Sequence, residues 1–108
     1  MSNSFKHNHF ISFGEASLMT QRYRYQCMMP GDVCGGMFHR EAIEELLNQP
    51  GCVGIRYYFG VNEADQQKII LVGVDKWGND MIGQRYLCID NGTLCPPHCS
   101  NINILNSD

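Results

Sequence analysis

"GCVGIRYYFG", Gly51 to Gly60, is the stretch at which the hydrophobic period of the chain changes. Val53, Ile55, Tyr57 and Phe59 fall on one side of an extended backbone and Cys52, Gly54, Arg56 and Tyr58 on the other, the alternation of a β-strand. Immediately upstream, "FHREAIEELLNQPG" keeps a helical period instead. Ala42, Ile43, Leu46 and Leu47 make a buried stripe, and Glu44, Glu45 and Asn48 face water. His39 stands at the N-cap between the staple residues Phe38 and Ile43, Glu41 suits the positive end of the helix dipole, and Gln49-Pro50-Gly51 ends the helix.

Toward the C-terminus, "NEADQQ" turns the chain into "KIILVGV", whose apolar residues on both faces predict a central strand. "DKWGND" is a turn in which Gly78 takes a positive φ, and "QRYLCID" is a third strand ended by Asn91-Gly92. Toward the N-terminus, Ser12 and Glu15 form a capping box that starts a helix. Ala16, Met19, Tyr23 and Cys27 are its core-facing stripe, Gln21, Arg22 and Arg24 face water, and Pro30 and Gly31 stop it. "MMPGDVCGGMF" reads as a loop. The order helix, helix, strand, strand, strand predicts an α+β fold: two helices packed on one face of a small antiparallel sheet of about three strands, followed by an irregular Cys- and Pro-containing C-terminal tail.

The chain has 108 residues, the size of one domain spanning 1–108, with residues 1–10 expected to fray. A net charge of −3, with eight Lys and Arg residues scattered from Lys6 to Arg85, leaves no basic face to neutralise a run of phosphates, so nucleic acid and anionic membrane are excluded as partners. No run approaches the ~18 apolar residues of a membrane helix. The N-terminal "MSNSFKHNHFISFGEA" has no apolar signal-peptide core, which points to the cytoplasm and to reduced thiols.

Three runs carry a resemblance. "QPGCVGIR", "LVGVDKWGND" and "CPPHC" resemble, in this order, the motifs of a family of short uncharacterised bacterial proteins with Q-P-G-C-V-G-[IL]-R, L-V-G-V-D-x-x-G-N-D and a C-terminal C-P-P-x-C. The resemblance runs from about Ile11 to Ser107. It implies an intact domain and no particular reaction. Of the six cysteines, it places Cys52, Cys95 and Cys99 inside the shared motifs and leaves Cys27, Cys34 and Cys88 outside them.

The residues closest to chemistry lie in "LCPPHCSN", Leu94 to Asn101. Cys95, His98 and Cys99 offer two thiolates and an imidazole, the donor set of zinc, and Cys52 is the fourth ligand that the motifs suggest. The spacing argues against a knuckle, because C-x3-C with Pro96-Pro97 holds the chain extended before the second thiol arrives. A disulfide requires the turn to bring the two Cα atoms to roughly 4.4 to 6.8 Å. The reading preferred on sequence is two reduced thiols packed in a stiff turn.

Other features have ordinary explanations. Cys34 precedes the second helix, where the dipole favours a thiolate and His39 is near in sequence, but no Asn or Asp completes a nucleophile site. "DKWGND" is no calcium loop, since Trp77 and Tyr86 occupy positions that need oxygen ligands. His7 and His9 offer only adventitious metal contacts. Arg56 and Tyr58, on one strand face, have the composition of an interface and are the candidate binding residues. No set of residues completes a catalytic site, so the sequence predicts a cytoplasmic, non-catalytic accessory or binding protein with a protein partner. A thiol-redox or zinc protein built on Cys95 and Cys99 is the rival, and a cysteine-dependent enzyme the third reading. A sheet of about three strands leaves open edges, which predicts a homodimer.

Overall fold

The computed structural model describes residues 9–29 and 31–107. Residues 1–8, most of the segment expected to fray, and Pro30, expected to stop the first helix, lie outside them. The fold is α+β: helices α1 (Phe13–Cys27) and α2 (Arg40–Leu47), a sheet of β1 (Gly35–Met37) and β5 (Thr93–Cys95), and a sheet of β2 (Gly54–Val61), β3 (Gln67–Val74) and β4 (Cys88–Asp90). All strand pairs are antiparallel. The chain gathers into two compact units, Met1–Met29 with Ser100–Asp108, and Pro30–Cys99.

In the first unit α1 starts at the predicted capping box. Glu15 N–H donates to Ser12 Oγ at 3.0 Å and Ser12 N–H to Glu15 Oε1 at 3.1 Å, so two donors at the helix start are satisfied reciprocally. The helix ends at Cys27, with Met28 as C-cap. Its expected apolar stripe is not its inner face. Met19 and Cys27 are exposed, whereas Gln21 and Arg24 are half-buried beside Ala16 and Tyr23. The neighbouring segment explains the rotation. Within this unit Leu105 O, from residues 100–107, accepts from Arg24 Nη1 at 2.8 Å and draws that side chain inward.

Among the described residues, the buried apolar side chains are Leu46, Leu71, Val72, Met81 and Leu94, which belong to the second unit. Helix α2 lies against β2 and β3 and sends Leu46 fully into the core, with Ala42 and Ile43 half-buried. Leu47, expected on the same stripe, is 44% exposed. The turn that follows is held by one side chain. Gln49 Nε2 donates to Leu46 O at 2.9 Å, and Gln49 Oε1 accepts from Leu87 N–H at 2.7 Å. Gly51 then reverses the chain at φ +86°.

β3 is the central strand, as its apolar run predicts. Both of its flanking turns rest on an Asx arrangement, with Asn62 Oδ1 accepting from the Ala64 and Gln66 N–H groups and Asp75 Oδ1 from those of Trp77 and Asn79. Gly78 has the expected positive φ. At Gly73 a Cβ would lie 3.0 Å from Gln49 Nε2 and 3.1 Å from Cys52 Sγ, so the glycine admits the end of the helix onto the sheet.

Two strand assignments also change. "QRYLCID" is strand only over Cys88–Asp90, and the segment read as a loop contains β1. A three-residue strand beginning Gly35-Gly36 has no side-chain alternation to betray it, and its pairing depends on β5, some 60 residues away in the chain. Among the described residues no helix is long and apolar enough to cross a membrane.

Candidate functional site

The site is built where β1 meets β5. The register pairs Gly35 with Cys95, Gly36 with Leu94 and Met37 with Thr93. Cys34, immediately before β1, also donates its N–H to Cys95 O at 2.7 Å, which holds it beside the Cys95 backbone. The ladder thereby sets Cys34 Sγ 3.6 Å from Cys95 Sγ.

Beyond β5 the chain turns back at once. His98 N–H donates to Leu94 O at 2.8 Å, and the Cα atoms of Cys95 and Cys99 lie 4.7 Å apart, joined by a disulfide. This corrects the reading of two reduced thiols and the premise behind it. Pro96-Pro97 does not hold the chain extended, because the His98–Leu94 bond closes the turn around both prolines. Cys99 and Cys34 are exposed, and Cys95 is half-buried.

The sequence assembled Cys95, His98, Cys99 and Cys52 as zinc ligands. The structure joins Cys95 to Cys99 and puts His98 between them in the turn, but Cys52 is elsewhere. Its Sγ donates to Gly54 O at 3.2 Å, over Gly73 of the other sheet. Among the described residues no group of three or more His, Cys, Asp or Glu side chains is placed to hold a metal ion. Cys34 is separated from α2 by β1, and its neighbour is Cys95. No local signal marks this contact, which exists only through the β1–β5 register.

Arg56 and Tyr58 share a strand face as expected and converge on a third residue. Arg56 Nη1 donates to Asp80 Oδ1 at 2.5 Å and Arg56 Nη2 to Gly78 O at 3.1 Å, while Tyr58 Oη donates to Asp80 Oδ2. The Tyr58 hydrogen bond, followed by that of Arg56, holds the Asp80 carboxyl below the usual carboxylate range, although partial burial opposes it. The bond to Asp80 raises the Tyr58 hydroxyl and the Arg56 guanidinium above their ordinary values. Sequence reading took Asp80 only as the end of a turn. Its partnership follows from the bridge between Val74 and Asp80, which carries the carboxylate to the Arg56 side of β2.

On the opposite face of β2, Tyr57, Phe59 and Val61 are 60, 68 and 68% exposed, as is Val53 just before the strand at 66%, with the Tyr57 and Phe59 rings edge to face at 5.6 Å. Comparison with family models, curated proteins and solved structures finds no match for the chain.

Proposed function

We propose that the chain is a small cytoplasmic thiol–disulfide protein in which Cys95 and Cys99 open and close as a two-electron pair. The observation that carries this is the turn between Leu94 and His98, which holds the two Cα atoms 4.7 Å apart with Cys99 exposed to an incoming thiol. In a cytoplasm that keeps thiols reduced, a bridge of this kind is transient and redox-active in ordinary proteins. Reduction proceeds by exchange. A thiolate of a dithiol reductant attacks Cys99 Sγ, forming a mixed disulfide, and the S–S bond breaks so that Cys95 leaves as a thiolate and takes a proton from solvent. The second thiolate of the reductant then releases Cys99 and closes the reductant's own disulfide. Zinc would require both sulfurs as thiolates, so metal binding on Cys95 and Cys99 belongs only to the reduced form.

Equilibration in glutathione buffers of graded potential, alkylation and peptide mass spectrometry test this proposal. The Cys95–Cys99 linkage should give way to alkylated Cys95 and Cys99 across the range near the cytosolic poise. A pair that stays closed in the most reducing buffer, or stays open in the most oxidising one, overturns it.

A second reading rests on the exposed apolar side of β2, which is an edge strand of its sheet. That side supports a protein partner or a second copy of the chain, through Tyr57 and Phe59, since Arg56 and Tyr58 are engaged by Asp80. The motif runs support membership of the bacterial family they resemble, which adds no reaction to either reading.

A further inference from the structure

We infer that Cys34 is the internal nucleophile of this centre: its thiolate attacks Cys95 and moves the bridge from Cys95–Cys99 to Cys34–Cys95. The inference rests on the reading of Cys95 and Cys99 as an exchanging pair, and adds a third cysteine that the motifs leave out.

Three observations carry it. The Cys34 and Cys95 sulfurs are 3.6 Å apart. The approach is built into the backbone, because Cys34 N–H donates to Cys95 O and the next residue, Gly35, pairs with Cys95 in the ladder. Cys34 is a free thiol open to solvent, so its proton can leave. Closing 3.6 Å to the roughly 2.05 Å of a disulfide asks the sulfurs to approach by about 1.5 Å, a displacement within reach of side-chain rotation. The other free cysteines have different surroundings. Cys27 belongs to the other unit, Cys52 donates to Gly54 O, and Cys88 is on β4.

The step conserves electrons and needs no oxidant. Cys34 gives its proton to solvent and its sulfur lone pair forms a bond to Cys95 Sγ. The Cys95–Cys99 bond breaks, and Cys99 departs as a thiolate that is free to be protonated or to attack an external disulfide. One form staples the terminal turn; the other staples β1 to β5 and presents Cys99 as the reactive thiol. The centre thereby converts an internal bridge into an exposed nucleophile without a net change in its own oxidation state.

The experiment uses the full chain, oxidised with oxidised glutathione, freed of it, alkylated with N-ethylmaleimide and digested without reductant. In wild type, peptides linked through Cys34–Cys95 should appear beside those linked through Cys95–Cys99, with Cys99 alkylated in the former. In Cys99→Ser, Cys34 and Cys95 should both lose their alkylation and be recovered linked to each other, whereas Cys95→Ser leaves Cys34 fully alkylated. Wild type yielding only Cys95–Cys99 overturns the role of Cys34 and leaves the two-cysteine reading intact, and Cys34 and Cys95 both alkylated in Cys99→Ser would be the matching result in the variant. Absence of any Cys95–Cys99 linkage in oxidised wild type overturns both. The wild-type arm decides the matter even where Cys99→Ser folds poorly.

Discussion

The carboxamide of Asn91 occupies the space beside Gly36 that any other residue's Cβ would fill. A Cβ built on Gly36 overlaps Asn91 Nδ2 and lies 3.1 Å from its Cβ and Cγ. Asn91 is 1% exposed, and its Oδ1 accepts from Ile69 N–H at 2.6 Å. One buried side chain therefore reaches from β3 of the larger sheet to β1 of the smaller one, and the smaller sheet carries Cys95 with Cys34 immediately before β1.

Gly36→Ala should destabilise the protein by about 1 to 3 kcal/mol, the usual range for overpacking a filled site. Asn91→Ala should cost about 1 to 3 kcal/mol, because the Ile69 N–H loses its acceptor in a place that water does not reach. The two costs should not add, since removing the carboxamide makes room for the new methyl. Urea unfolding of the four proteins measures this. An alanine at 36 that costs as much with Asn91 gone as with it present would show that the contact is not the constraint.

On α2 the leucines separate. Leu46 is fully buried, so Leu46→Ala should cost about 2 to 5 kcal/mol, while Leu47→Ala should cost much less because the side chain is 44% exposed. Equal losses in urea unfolding would place Leu47 in the core after all.

The helix phase illustrates what the sequence carries and what it does not. Period and punctuation are local, so the capping box at Ser12 and Glu15, the strand at Gly54–Val61, the central position of β3 and the turn at Gly78 were all legible. Placement within a stripe depends on what lies opposite. For α1 the opposing segment is polar and draws Arg24 inward; for α2 it leaves Leu47 uncovered. The thiol site was half legible for the same reason. Cys95 and Cys99 are four residues apart and could be weighed as a pair, but Cys34 is 61 residues from Cys95 and joins it only through a two-stranded sheet whose first strand has no readable period.

The Arg56–Asp80–Tyr58 group predicts a pH dependence at both ends of the scale. Asp80 has a depressed folded pKa, so its contribution is complete above the unfolded carboxyl value, about 4, and is lost as pH falls through the lower folded value. Tyr58 has a raised folded pKa, so its contribution is complete below about 10 and is lost as pH rises through the folded value. Asp80→Asn should flatten the acid limb and return the Tyr58 hydroxyl toward its ordinary titration, followed by phenolate absorbance against a Tyr58→Phe control. An unchanged acid limb in Asp80→Asn would rule out Asp80 as its source.

Strand β2 leaves one edge of its sheet open beside exposed Val53, Tyr57, Phe59 and Val61. Light scattering should accordingly report a mass that rises toward that of two chains as concentration increases, and Phe59→Lys should suppress the rise. A monomer mass at high micromolar concentration would reject self-association by this strand.

The terminal bridge makes the most direct prediction about stability. A cross-link from Cys95 to Cys99 closes a loop of five residues, and the chain-entropy relation for a loop that short gives at most about 2 kcal/mol. Two independent thiols would lose stability additively when each is replaced by serine. A shared bond is abolished by the first replacement, so Cys95→Ser, Cys99→Ser and the double variant should all lie at nearly one value. The cycle is run in a Cys34→Ser background, so that no second bridge can form when Cys99 is removed. Reductant should lower the stability of the parent to that same value and leave the three variants unmoved, because they have no bond to reduce. A chelator should leave the oxidised parent unchanged, since its two sulfurs are committed to each other. Additive losses with no effect of reductant would return Cys95 and Cys99 to the status of packed thiols, and a loss caused by chelator would make the turn a metal site instead.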